Sequence, residues 1–99
     1  MTRKIVKISN KQKFNNGNPR FLSYDDKRIY FYSDNKIREK GPFFKGQKQG
    51  EWQFFKHNGR LEWLGHYKNN VKIKKWLHFS ESGIINRVLY FSDNINKIK

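Results

Sequence analysis

The feature that most constrains the fold of this chain is an internal repeat with a period of 24 residues. Weaker matches extend the same register upstream to Tyr30 and downstream to Asn94. A fixed period that preserves aromatic, glycine and aliphatic positions together indicates stacked copies of one structural unit. Seven pairs of similar residues carry the repeat: Gly41 and Gly65, Phe43 and Tyr67, Trp52 and Trp76, Phe55 and Phe79, Gly59 and Gly83, Leu61 and Ile85, Leu64 and Val88.

The repeat divides the chain into segments. At 99 residues the sequence predicts a single domain, 1–99. Repeat 1 spans residues 41–64 and repeat 2 spans residues 65–88. Residues 28–40 form a degenerate half-repeat, and residues 89–99 form a partial repeat and tail. The N-terminal part, 1–27, predicts a loop and two short strands, around Lys4–Ile8 and Phe21–Tyr24.

Each repeat has the sequence pattern of a β-hairpin. Asn58-Gly59 and Ser82-Gly83 lie between alternating runs, and such dipeptides favour tight turns. Asp34-Asn35 has the corresponding position in the half-repeat. The 3.6-residue periodicity of a helix is not evident in any segment. The predicted fold is therefore all-β, an elongated and twisted antiparallel sheet of consecutive β-hairpins.

The turn predicts which residues share a face of the sheet. We predict that Asn58 and Gly59 form a two-residue turn in which both adopt positive φ. In that register Trp52 lies opposite Gly65, whose missing side chain leaves room for the ring. Rings that recur at fixed places in a hairpin are structural in the first instance. Alternation assigns one face to Trp52, Phe54, Leu61 and Trp63, and the other to Phe55, Leu64, Leu77 and Phe79.

Repeat 1 resembles the bacterial variant of MORN repeats. Repeat 2 departs from that pattern, since Lys74 replaces the glycine before Trp76, Asn70 replaces the turn glycine and His78 replaces an aromatic residue. The resemblance covers roughly residues 28–94 and implies an elongated, twisted antiparallel sheet. The family includes antitoxin components, scaffolds and membrane-associated modules, without a shared catalytic motif, so it implies fold more than function. The matching positions are Gly41, Phe43, Gly46, Gly50, Trp52, Phe54, Phe55, Asn58, Gly59 and Leu61.

The charge of the chain favours an anionic partner. Lys and Arg number 22 against 8 Asp and Glu, a net charge of +14. Such a field attracts nucleic acid, anionic lipid or an acidic protein surface, although a solubilising surface would carry it too. The 16 lysines outnumber the 6 arginines, which favours diffuse electrostatics over bidentate reading of bases.

Basic residues interleaved with aromatic residues on a β surface are typical of single-stranded nucleic-acid binding, because cations contact phosphates while bases stack on rings. The segment 69–79 and the residues around Tyr30 show this pattern most clearly. Alternation places Lys72 and Lys74 on one face and Lys75 on the other. A solvated lysine strand beside a buried tryptophan is the alternative interpretation. The predicted binding residues are Lys68, Lys72, Lys74, Lys75, Arg28, Lys27, Arg20, Lys45 and Lys48.

The sequence offers little for catalysis. There is no cysteine, and the three histidines lack the spacing of metal ligands, with His66 and His78 predicted on opposite faces. The adjacent carboxylates Asp25 and Asp26 point apart, which argues against paired acid and base. The stretch KGQKQG, 45–50, lacks the strand-to-helix context and the ending of a phosphate-binding loop. We expect a non-enzymatic protein without cofactor or metal.

These features give one leading hypothesis and two alternatives. The leading hypothesis is a small basic binding protein that inhibits or modulates a nucleic-acid-handling partner. In size and charge it resembles phage-encoded inhibitors of RNA-guided (CRISPR) nucleases. The expected partner is nucleic acid, RNA first, or a nucleoprotein or nuclease. An antitoxin that neutralises a cognate toxin through an acidic protein surface is the first alternative, and a peripheral module on anionic membrane is the second.

The expected location is the cytoplasm. The N-terminal ten residues lack the apolar run of a signal peptide, and no stretch approaches membrane-spanning length. The lack of cysteine agrees with a reducing compartment.

Overall fold

The computed structural model describes residues 12–92, and this part of the chain forms one open antiparallel β-sheet. The all-β prediction is confirmed: the described residues contain eight strands and no helix. The strand predicted at Phe21–Tyr24 is present, whereas the one predicted at Lys4–Ile8 lies outside the described residues. The strands are β1 (Phe21–Ser23), β2 (Lys27–Phe31), β3 (Ile37–Phe44), β4 (Gln47–Lys48), β5 (Gly50–Phe55), β6 (Leu61–Lys68), β7 (Val71–Phe79) and β8 (Ile85–Phe91).

The strands follow one another across the sheet almost in chain order. The order is β1-β2-β3-β5-β6-β7-β8, and every pair is antiparallel, while the short β4 pairs only with β3. Each connection is a short turn, so the repeat is a series of hairpins laid side by side. The described residues thus form a single layer with two open faces.

The turn at Asn58-Gly59 differs from the predicted two-residue turn. The Lys56 amide donates to the Arg60 carbonyl at 2.9 Å, and the Gly59 amide donates to the Lys56 carbonyl at 2.9 Å. Gly59 has a φ of 92°, but Asn58 does not have positive φ. The loop therefore has three residues, a type I turn followed by glycine in the left-handed region. Asn58 instead accepts a hydrogen bond from the Arg60 amide through Oδ1, at 3.0 Å.

A register shift next to this loop explains why most predicted faces are nevertheless correct. Phe55 pairs with Leu61, and the register then shifts so that Phe54 pairs with Trp63 as predicted. Trp52, Phe54 and Trp63 consequently share a face. The predicted face of Leu61 is wrong, because direct pairing puts Leu61 with Phe55 on the opposite side.

The hydrogen-bond geometry repeats with the period of the sequence. The loops 24 residues before and after this one close with the same bond, from Tyr32 to Lys36 and from Ser80 to Ile84, each at 2.8 Å. A register shift accompanies each of the three loops. Asn35, with a φ of 73°, takes the place of the glycine in the half-repeat. The repeat is therefore a property of the backbone as well as of the sequence.

Turns with two positive φ values occur at the opposite end of the strands. Lys45 and Gly46 have φ values of 51° and 80°, and Asn69 and Asn70 have 52° and 71°. Their flanking residues pair directly, so these are two-residue turns with the φ signs of type I′. The two ends of the sheet thus use different turn types.

Two tryptophans at equivalent repeat positions form the core. Among the described residues, the buried hydrophobic side chains are Trp52, with 0% exposure, Trp76 with 3% and Ile73 with 7%. Trp52 pairs with Gly65 as predicted. Its ring, however, lies against Gly41 on the other neighbouring strand.

Trp76 repeats this arrangement one unit later, and its ring covers Gly65 so closely that an added Cβ would overlap it. Both indole N–H groups are satisfied by backbone carbonyls. Trp52 donates to Pro42 at 2.8 Å, and Trp76 donates to His66 at 3.1 Å. Each tryptophan therefore fixes three neighbouring strands at a glycine.

Candidate nucleic-acid interface

The tryptophans belong to a continuous layer of rings, which we call the aromatic face. Neighbouring rings have centroids 5.2 to 6.4 Å apart in tilted or edge-to-face geometry. Such contacts stabilise the pairs beyond their area burial. The rings are Phe21, Tyr30, Trp52, Phe54, Trp63, Tyr67, Trp76 and Phe91.

In repeat 1 a lysine closes this face. The Lys48 ammonium lies 4.8 Å from the ring centroid of Trp52 and 5.0 Å from that of Tyr67, with two further rings within 5.7 Å. It forms an ion pair with Glu39 at 2.8 Å, and both side chains are largely buried. Lys48 is thus neutralised and held inside the protein, so it is structural although it was predicted to bind a partner.

Lys72 is the equivalent residue of repeat 2, and its surroundings differ. Its ammonium lies 4.8 Å from the centroid of Trp76 and 5.7 Å from that of Phe91. The position equivalent to Glu39 is occupied by Trp63. Within residues 12–92 no carboxylate forms an ion pair with Lys72. Lys72 is exposed, whereas Lys48 is not.

An open groove lies beside Lys72, and we call it the repeat 2 groove. It has a volume of about 240 Å³, below the roughly 300–1,000 Å³ of most small-molecule sites. It therefore accommodates one flat ring system better than a large cofactor. Its walls are aromatic or aliphatic, and Lys72 supplies its positive charge. The lining residues are Phe54, Trp63, Tyr67, Lys72, Trp76 and Leu89.

Polar side chains border the groove at Trp63. The His78 ring contacts Trp63 edge-on at 4.7 Å, and the Arg87 guanidinium lies 5.7 Å from the same indole. His78 bridges Asn86 at 2.7 Å and Glu62 at 3.4 Å. Arg87 is exposed, so it adds a second cation at this border.

Tyr67 forms the wall between repeat 1 and the groove. Burial raises the pKa of its hydroxyl, while the nearby Lys48 ammonium opposes that rise. The phenol therefore stays protonated at neutral pH and can donate a hydrogen bond to a ligand.

Lys74 and Lys75 lie away from the groove. The prediction that Lys72 and Lys74 share a face is wrong, since Lys74 and Lys75 together line a different groove with Leu64 and Leu77. The cause is a bulge in β7, where three residues oppose a single residue of β6 and Lys74 adopts a φ of 61°. Simple alternation fails across such a bulge.

Two predicted arginines are committed to internal contacts. Arg28 lies between the rings of Phe21 and Phe43, at 4.0 and 3.9 Å, and donates to Ser23 Oγ at 2.8 Å. It occupies the repeat position that is tryptophan in the full repeats, so it substitutes for that ring in the stack. Arg20 donates to the Lys13 carbonyl at 3.0 Å.

The remaining predicted residues lie near one end of the sheet. Lys27, Lys45 and Lys68 are exposed and are located in or beside the two-residue turns. They contribute a basic edge adjacent to Lys72. The structure thus combines Lys72 with rings, places these three lysines along an edge and separates Lys74 and Lys75 from both.

Sequence reasoning missed the groove walls. Trp63, Phe54 and Tyr67 were treated as core, and Arg87 was not considered. A comparison of the two repeats at the Glu39 and Trp63 positions would have indicated that the second groove lacks its internal carboxylate.

Comparison with known proteins finds no matching family model, no similar curated protein and no similar solved structure. The resemblance to MORN repeats therefore stays a prediction. In the described part of the chain, no group of three or more His, Asp or Glu side chains could hold a metal ion, and no helix is long and apolar enough to cross a membrane.

Proposed function

We propose that this protein is a non-enzymatic binding protein whose repeat 2 groove takes up a base of single-stranded nucleic acid, RNA first. The observation that carries the proposal is the contrast between Lys48, neutralised inside the protein, and Lys72, exposed beside open rings without a carboxylate partner. An ammonium at the rim of an aromatic groove disfavours cationic ligands and favours a ring that carries negative charge.

The chemistry of a nucleotide matches both parts of the groove. A base can stack on an indole or phenyl face of Trp63 or Phe54, and the adjoining phosphate can contact Lys72. Bases within a duplex are stacked on each other and are not accessible in this way. The small volume limits the groove to one base at a time.

The basic edge would hold the flanking chain. Lys27, Lys45 and Lys68 are exposed at the end of the strands nearest the groove. Lysines act on phosphates as flexible point charges, so this binding would have little sequence preference. By covering a single strand in this manner, the protein would inhibit or modulate an enzyme that acts on that strand, including an RNA-guided nuclease.

Titration of a short labelled oligouridylate over a range of salt concentrations tests the proposal. Trp63→Ala should weaken binding by about 1–3 kcal/mol, the usual effect of removing a stacking ring. Lys72→Gln should lower the slope of log affinity against log salt by about 0.7, the value for one phosphate contact on a single strand. Lys75→Gln, an exposed lysine on the other face, is the matched control and should leave that slope unchanged.

Equal affinities for wild type and Lys72→Gln at every salt concentration would remove the groove from the site. Preference for duplex over single strands would contradict base stacking. Binding to an acidic protein with no binding to oligonucleotides would favour the antitoxin-like alternative instead.

A further inference from the structure

The face opposite the aromatic face carries a continuous aliphatic row. Pairing registers link Lys40 to Gln53, Gln53 to Leu64, Leu64 to Leu77 and Leu77 to Val88. The row crosses five strands, or about 19 Å at the usual strand spacing. The three aliphatic side chains are half-buried or exposed, with Val88 at 39%. No other layer of the described residues covers them. We call this surface the aliphatic face.

Two grooves on this face combine apolar floors with lysine rims. One has a volume of about 300 Å³ and is lined by Leu64, His66, Lys74, Lys75 and Leu77. The other, about 420 Å³, is lined by Lys36, Ile37, Lys40, Phe55, His57, Asn58 and Gly59. No described carboxylate lines either groove, and the one that the register places nearby is Glu51, the cross-strand neighbour of His66.

The charge of the rims selects among possible occupants. Residues 1–11 contain Arg3, Lys4, Lys7 and Lys11 without an acidic residue, so they would bring like charge to the lysine rims. A second copy of this face would oppose lysine to lysine in the same way. Leucine and valine cannot stack bases as the rings of the aromatic face can, which disfavours nucleic acid. An acidic partner with its own apolar surface meets both features.

We propose that the aliphatic face binds an acidic amphipathic helix of a partner protein. A sheet with one uncovered apolar face is commonly completed by a helix layer. The row of about 19 Å corresponds to about thirteen residues of helix. Aliphatic residues of the helix would cover Leu64, Leu77 and Val88, while its carboxylates would meet Lys74 and Lys75. The protein would then hold a partner on one face and a nucleic-acid strand on the other.

A labelled helical peptide with leucine along one face and glutamate along the other provides the probe. The wild type should bind it, and Lys74→Glu with Lys75→Glu should weaken binding at least tenfold. The double variant Lys72→Glu with Arg87→Glu has the same net charge and is altered only on the aromatic face, so its affinity for the peptide should stay within twofold of wild type. Circular dichroism and melting confirm that both variants fold.

Three outcomes would overturn the inference. The first is equal loss of affinity in both double variants, which would show a response to net charge alone. The second is equal binding of a peptide with the same composition in scrambled order, which would show that the apolar stripe is not used. The third is displacement of the peptide by oligouridylate. Simultaneous binding of peptide and oligonucleotide would support the two-face arrangement, and loss of oligonucleotide binding alone would count only against the repeat 2 groove.

Discussion

The grooves of the two repeats share a backbone plan and differ in what occupies them. Each has a tryptophan over a glycine and a lysine over that tryptophan, at positions 24 residues apart. In repeat 1, Glu39 pairs with Lys48 and the lysine closes the rings. In repeat 2 the position of the carboxylate is Trp63, so Lys72 stays exposed and a groove remains. One position thus separates a structural cage from a candidate binding site.

This difference shows how a repeat protein can divide its work. The fixed positions, glycine and tryptophan, maintain the sheet in both copies. The variable positions beside them decide whether the aromatic surface is neutralised internally or left available. A search for function in such a protein is best directed at positions where the copies differ, because the shared positions are already explained by packing.

The largest expected effect concerns the shared element. Trp52→Ala should lower the free energy of unfolding by about 3–5 kcal/mol, the range for truncating a core aromatic residue, because Trp52 has no exposed surface and donates to Pro42. Trp76→Ala should cause a similar loss. Urea denaturation measures both. An unchanged unfolding midpoint for either variant would show that the copies do not share one structural core.

The sequence was sufficient to predict much of this architecture. The 24-residue spacing of Trp52 and Trp76 predicted consecutive hairpins, and the pairing of Phe54 with Trp63 followed from the turn position. These inferences succeed because side-chain alternation ties face to register throughout a regular strand.

Bulges account for the predictions that failed. Three-residue loops with compensating register shifts moved Leu61 to the other face, and the bulge in β7 separated Lys74 from Lys72. A bulge depends on the balance of backbone strain and packing in the folded sheet, which a single sequence does not reveal. The roles of Arg28 and Lys48 were missed for a related reason, since cations packed on rings have the same sequence pattern as cations that bind a ligand.

The second prediction opens the closed repeat. Glu39→Gln removes the partner of Lys48 and leaves an ammonium largely buried among rings. We expect a loss of about 1–3 kcal/mol, the effect of leaving a hydrogen-bonding group unsatisfied. Glu51→Gln, an exposed carboxylate on the same side of repeat 1 in sequence, serves as control and should change stability little. If the double variant Glu39→Gln with Lys48→Gln is no more stable than Glu39→Gln, the stranded charge is not the cause.

The third prediction exchanges a backbone position between the repeats. Gly50 and Lys74 are equivalent and both have positive φ, 68° and 61°. Left-handed backbone costs a residue with a side chain about 1–2 kcal/mol, so Gly50→Lys should destabilise by about that amount. Its added Cβ would also lie 3.3 Å from the Pro42 ring. Lys74→Gly should stabilise by about 1 kcal/mol after the greater flexibility of unfolded glycine is subtracted. Melting curves measure both, and changes of the same sign would contradict the equivalence.

The smallest effect concerns Tyr67, the wall shared by the two grooves. Burial raises the pKa of its hydroxyl above the usual value of 10.0, and the Lys48 ammonium opposes that rise. As pH increases through 10.0, the unfolded chain therefore loses this proton before the folded protein does. The resulting contribution to stability is complete below pH 10.0 and is lost as the pH rises through the folded pKa. Denaturation at a series of alkaline pH values should show a shallower decline for Tyr67→Phe than for wild type. In Lys48→Gln the opposing charge is absent, so the tyrosinate absorbance of Tyr67 should develop at higher pH than in wild type. Lys72→Gln is the matched change in repeat 2 and should leave that titration in place, because Lys72 does not contribute to the pKa of Tyr67. Equal shifts in both lysine variants would show that the lysine of repeat 2 also reaches the shared wall, and the contrast between a closed and an open groove would then no longer hold.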